Sequence, residues 1–175
     1  SIPKKDNKFL ITQVLANILG GTMSSRLFLE IREKRGLCYF IKASNDGYED
    51  LTSFSIQAGL NKEKIYEALK AIKEELNKLK EEGLTKEELE KTKDNIRGRL
   101  ILKLESAPVK LNFYASQELL GKKIKELDEM LKELDKITLS QINKIAQDII
   151  SWPQSNLAII GPFQNKNKFL NILKN

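Results

Sequence analysis

Apolar residues recur at helical spacing over residues 6–19. Starting from Asp6, Phe9, Leu10, Val14, Leu15 and Ile18 share a face, and Gly20-Gly21 follows as the expected helix C-cap. Ser24 or Ser25 stands where a cap belongs for a second helix, carried through Leu27, Phe28 and Ile31 to about Lys34. The period then changes. Residues 37–44 are rich in aromatic and β-branched side chains and predict a strand. Asn45-Asp46-Gly47 is a turn signal, and residues 52–59 alternate Phe54, Ile56 and Ala58 against polar neighbours. Together they predict an antiparallel hairpin with one buried face.

The middle of the chain is helical. Ile65, Leu69, Ile72, Leu76 and Leu79 form an amphipathic stripe ending before Gly83. Thr85-Lys86-Glu87-Glu88 is a capping box opening a long helix through Leu89, Ile96 and Leu100. Ser106-Ala107-Pro108 breaks the chain and restarts it, with Pro108 in a first turn and Val109, Phe113 and Leu120 on the new helix. A short helix carrying Ile124, Leu127 and Leu131 comes next. Thr138-Leu139-Ser140-Gln141 is a second capping box, leading into Ile142, Ile145 and Ile149. Residues 156–160 predict a short apolar strand stopped by Gly161-Pro162, with a terminal helix after it.

Strands and helices are segregated rather than alternating. The expected class is α+β, with helices packed on an antiparallel or mixed sheet, in a single domain over residues 1–175. Three strands are few for so many helices. A strand before Ser1 would complete the sheet, so the chain reads as lacking its first strand.

Composition narrows the function. With 175 residues and a 41% hydrophobic share the chain supports a real core, and no Pro/Gly/Ser-rich linker divides it. No apolar run approaches the ~20 residues that span a bilayer, so no membrane partner is expected. The opening Ser1-Ile2-Pro3-Lys4-Lys5 has no apolar signal-peptide core behind it, which leaves the compartment open, with the cytoplasm favoured. Cys38 is the lone cysteine, so no internal disulfide forms; it reads as a small buried residue. The net charge of +6 raises a nucleic-acid reading. Lysines alternate with glutamates, however, as in Lys73-Glu74-Glu75 and Lys86-Glu87-Glu88-Leu89-Glu90-Lys91, which is the pattern of solvated helix faces. No nucleic acid is therefore expected.

The chain contains no histidine. Catalytic zinc sites draw on imidazole ligands, and imidazole is also the commonest general base. A hydrolytic zinc centre in this chain alone is thus excluded, along with the usual serine and cysteine triads.

The block Leu19-Gly20-Gly21-Thr22-Met23-Ser24-Ser25-Arg26-Leu27-Phe28, continuing through Ile31-Arg32-Glu33-Lys34-Arg35-Gly36-Leu37-Cys38-Tyr39, resembles the insulinase/pitrilysin (M16) family of inverted-zincin peptidases. It is similar to the second of that family's two homologous halves. Leu84 to Leu89, Leu104-Glu105-Ser106 and Asn156 to Pro162 follow in the family's order, so the resemblance covers nearly the whole chain.

The resemblance implies an α+β metallopeptidase half-domain of the LuxS/MPP-like kind, one shell of a two-half clamshell. The zinc-bearing N-terminal half, with its His-x-x-Glu-His helix, would be the partner, in the same polypeptide or as a separate subunit. Zinc is expected there, and neither cofactor nor metal in this chain. Peptide would be the substrate. The family's second half contributes an arginine and, seven residues on, a tyrosine that face substrate; these match Arg32 and Tyr39. Arginine offers fixed donors to peptide carbonyls, and a tyrosine hydroxyl can donate to an oxygen that gains charge. Read without the family, Arg32 is one more solvated charge and Tyr39 a core aromatic with its hydroxyl at the rim. Arg26 and Arg35 read as structural. A homo-oligomer stays open, and so does a non-catalytic assembly subunit that kept the fold.

Overall fold

The computed structural model of the chain describes residues 8–48, 51–119, 121 and 123–174. Asp6 and Leu120, used in the helical patterns above, lie outside the described residues, as do Ser1 to Lys5. The chain falls into two compact units, one of Ser1–Leu84 with Leu139–Asn175 and the other of Thr85–Thr138.

In the first unit α1 (Lys8–Gly20) buries Val14, Leu15 and Leu19 completely. It packs on strand β1 (Cys38–Gly47) and on α6 (Leu139–Ile149). Each such aliphatic side chain contributes roughly 1.5–3 kcal/mol by leaving water. Gly20 ends this helix and Gly21 follows it, and neither acts as the expected left-handed cap, because neither has a positive φ. Gly20 serves close approach instead: a Cβ there would lie 2.2 Å from the Ala43 nitrogen of β1.

β1 pairs antiparallel with β2 (Thr52–Leu60), and Ile41 and Ala43 face the core opposite Ala58 and Ile56. Asn45-Asp46-Gly47 is not the turn. These residues stay in β1, paired with Phe54, Ser53 and Thr52, and the Tyr48 N–H donates to the Leu51 carbonyl at 2.8 Å to close the hairpin beyond them. Asn45 Nδ2 also donates to the Phe9 carbonyl of α1, a tertiary bond that holds the residue in the strand.

Helix α2 (Ile65–Glu82) buries Ile65, Ala68, Ala71, Leu76 and Leu79, so its packed stripe is lined by alanines where Leu69 and Ile72 stay half-buried. Two lysines of α2 end on other helices. Lys80 Nζ donates to the Ile150 carbonyl at 2.8 Å, just past the end of α6. Lys73 Nζ donates to the Ile172 and Leu173 carbonyls in the last turn of α7 (Lys166–Lys174) and lies 4.9 Å over the Trp152 ring. Lys73-Glu74-Glu75 is therefore a packed segment rather than a purely solvated face.

Residues 156–160 form no strand. Ile160 is fully exposed and Leu157 partly so, and no hydrogen bond ties the segment to the described residues. A strand needs a neighbour for its N–H and C=O groups, whereas among the described residues β1 and β2 pair only with each other.

In the second unit Thr85 caps α3 (Lys86–Leu104) in the expected box: the Glu88 N–H donates to Thr85 Oγ1 and the Thr85 N–H to Glu88 Oε2. Pro108 sits in the first turn of α4 (Ala107–Leu119), which buries none of its side chains, Val109 and Phe113 included. Helix α5 (Leu127–Asp135) begins after Ile124 and ends on Lys93, whose ammonium donates to the Asp135 carbonyl. The fold is α+β. Among the described residues no helix is long and apolar enough to cross a membrane.

Candidate functional site

The segment from the end of α1 into the start of β1 carries both residues singled out by sequence. Ordinary helical winding at Arg26 and Leu27 gives way to a π-helix over Phe28–Lys34. Its i→i+5 winding is rare overall and is frequent at functional sites. Ser25 does not cap this helix: its hydroxyl donates to the Thr22 carbonyl at 2.6 Å. Ile31 is fully buried and anchors the turn. The exit is closed by two backbone bonds, from the Gly36 N–H to the Arg32 carbonyl and from the Leu37 N–H to the Ile31 carbonyl.

Arg32 lies outward on this π-helix, its guanidinium 4.7 Å above the Phe28 ring. Among the described residues it has no carboxylate partner, in contrast to the cations around it. Arg26 meets Glu75, Lys34 meets Glu30, and Arg35 meets both Glu30 and Glu74. The hydrogen bond from Lys34, joined by Arg35, holds the Glu30 carboxyl below the usual range. Arg26 and Arg35 are thus both tied to carboxylates.

Tyr39 is 73% exposed, so it is no core aromatic. The register explains why. Cys38 pairs with Leu60 and Phe40 with Gly59, which leaves Tyr39 as the extra residue of a β-bulge. A bulge redirects side chains and breaks strict alternation. Phe40 lies over Gly59, where a Cβ would stand 2.6 Å from its ring.

Arg32 and Tyr39 therefore share one helix-to-strand corner, and each sits on an insertion into regular structure. Cys38 feels one of the two: burial pushes its thiol up, and the Arg32 charge works against that. Cys38 is half-buried rather than buried. No hydrogen bond or ring contact among the described residues joins Arg32 to Tyr39. Sequence reasoning took Phe28 only as an apolar position and missed its place under Arg32. A glycine inside a strand pattern, Gly59, was the available sign of the bulge. The π-winding has no comparable sequence signature.

Residues 3–96 match the family model described as the peptidase M16 inactive domain, which is more than half of the chain. The chain belongs to the M16 peptidase family. It represents that family's inactive C-terminal domain. It is 38% identical over 152 residues to the uncharacterized zinc protease YmxG of Bacillus subtilis, covering 87% of this chain and 37% of YmxG. A conserved protein from Enterococcus faecalis superposes with a TM-score of 0.74 at 26% identity, over 84% of this chain and 34% of that one. The peptidase M16 inactive domain from Pseudomonas fluorescens shares the fold, with a TM-score of 0.76 at 20% identity over 86% and 36%. The chain spans little more than a third of the length of these proteins.

Zinc, which the names of M16 relatives imply, does not fit this domain's own side chains. The chain has no histidine, and among the described residues no three of Cys, Asp and Glu converge. What the M16 inactive domain presents at its corner is a donor pair, a guanidinium and a phenol, both directed away from the core.

Proposed function

We propose that this chain is the substrate-closing half of an M16 zinc endopeptidase, working against a zinc-bearing N-terminal half. Both compact units belong to that one closing half. The observation that carries the reading is the outward placement of Arg32 and Tyr39 on a π-helix and a β-bulge, with Arg32 left without a carboxylate partner among the described residues. A structural corner would pair or bury these groups, as it does Arg26 and Ile31.

In this reading an extended peptide lies across the corner. Arg32 donates to its carbonyls from a planar fork held over the Phe28 ring. The Tyr39 hydroxyl donates to the carbonyl oxygen that gains charge as the scissile carbon becomes tetrahedral. Metal chemistry stays with the partner half.

The test is kinetic, on the two-half enzyme. Tyr39→Phe should lower kcat roughly tenfold or more with little change in KM, whereas Arg32→Ala should raise KM. Wild-type kinetics for Tyr39→Phe would remove the assigned role and favour an assembly subunit that kept the fold.

A further inference from the structure

The π-winding that presents Arg32 needs an explanation of its own, because i→i+5 turns are rare and persist where neighbouring structure holds them. Its C-terminal end is closed by backbone bonds from Gly36 and Leu37. Its N-terminal end has no side-chain cap. Instead Arg26, in the turn just before it, reaches across to α2. One terminal nitrogen lies 3.4 Å from Glu75 Oε1 and the other donates to the Gly83 carbonyl at 3.2 Å. Both side chains are largely buried, with 15% of Arg26 and 12% of Glu75 exposed.

The receiving end is itself rigid. Gly83 has φ of +75°, its N–H donates to the Leu79 carbonyl, and the next residue's N–H donates to Asn143 Oδ1 at 3.0 Å. The Gly83 carbonyl is therefore aimed by three elements: the end of α2, its glycine cap and α6. A lysine could not reproduce the contact, since a single ammonium lacks the two-pronged planar fork.

We infer that Arg26 is a positioning residue for the substrate-facing corner: its bridge from Glu75 to the Gly83 carbonyl holds the π-winding that carries the Arg32 guanidinium over Phe28. This goes beyond the proposed function but rests on it for its biological meaning. Arg26 touches no substrate. It acts by fixing the helical register from which Arg32 emerges.

The experiment is NMR on the 175-residue chain, which reads the geometry without any enzyme assay. The Arg32 side-chain signals carry a ring-current shift from Phe28, and backbone amide exchange reports the π-helix. Arg26→Gln should abolish that shift and speed exchange over Phe28–Lys34 by roughly tenfold or more, with α6 amides unchanged. Glu75→Gln should do the same in part, Arg26→Lys should rescue only partly, and Arg35→Gln should leave the Arg32 shift intact. If Arg26→Gln fails to fold, Arg26→Lys and Glu75→Gln decide. A ring-current shift of full wild-type size in those variants, or a uniform rise in exchange across the chain, would overturn the inference. Its failure is separable from failure of the functional reading, which is decided by Arg32→Ala and Tyr39→Phe kinetics.

Discussion

Arg26 and Arg35, at opposite ends of the π-helix, close on consecutive residues of α2: Arg26 Nη1 stands 3.4 Å from Glu75 Oε1, and Arg35 Nη1 donates to Glu74 Oε2 at 3.1 Å. The geometry is similar and the surroundings are not. The Arg26 pair is 15% and 12% exposed, the Arg35 pair 36% and 63%. Water screens the second, whereas burial desolvates the first, so truncating one partner leaves very different remainders. Arg26→Ala should cost about 1–3 kcal/mol, because Glu75 and the Gly83 carbonyl lose a donor out of water. Arg35→Ala should cost less than about 1 kcal/mol. Urea unfolding of both variants checks this, and equal midpoints would contradict it.

Gly20→Ala should be among the most destabilising single-atom additions in the chain. The new methyl would meet the backbone of Lys42 and Ala43 at 2.7 and 2.2 Å, and a backbone cannot move aside as a side-chain tip can. Overpacking of this kind costs about 1–3 kcal/mol. Thermal unfolding should show a clear drop in Tm. An unchanged Tm would mean that α1 and β1 separate at no cost.

Lys80→Met keeps most of the aliphatic stem and removes the ammonium that reaches the Ile150 carbonyl at the end of α6. That carbonyl end carries partial negative charge, so losing the cation should cost about 1 kcal/mol. Lys78→Met on the same helix is the control, since its contact with Glu82 is exposed and 4.0 Å long. Matching losses for the two variants would show that helix-end capping contributes nothing here.

Burial pushes the Glu75 carboxyl above its ordinary value of 4.5, with Arg26 working against the rise. The folded chain therefore holds this proton more tightly than the unfolded chain. The stabilising contribution is fully present below the ordinary value and is lost as pH rises through the raised one. As pH rises from below the ordinary value through the raised one, the wild type should lose stability relative to Glu75→Gln, which has no proton to release. Urea midpoints at constant ionic strength give the difference directly. A difference that stays flat or moves the other way would show that Arg26 outweighs burial.

Much of the fold was legible along the chain, because helices and capping boxes are local. The Thr85–Glu88 box and the restart at Pro108 stand where side-chain chemistry within one turn dictates them. Expectations failed where a distant partner decided the outcome. Asn45-Asp46-Gly47 has turn chemistry, yet Asn45 bonds to α1 and the strand continues. Residues 156–160 have strand chemistry, yet no strand among the described residues lies beside them. Gly20 looked like a cap and is a packing contact.

The candidate site divides in the same way. By itself the sequence determined that the chain holds no imidazole for zinc, and its Arg32 to Tyr39 block determined which two donors to examine. Residue types and spacing are properties of the chain, and they survive any fold. Only the tertiary structure decided that Arg32 lies over Phe28 without a carboxylate among the described residues, while Arg26 and Arg35 are claimed by α2. It also decided that Tyr39 occupies a bulge and faces out. Four cations within ten residues are equivalent until folding sets the distance from each to a carboxylate, and that distance is made by packing between segments far apart in sequence.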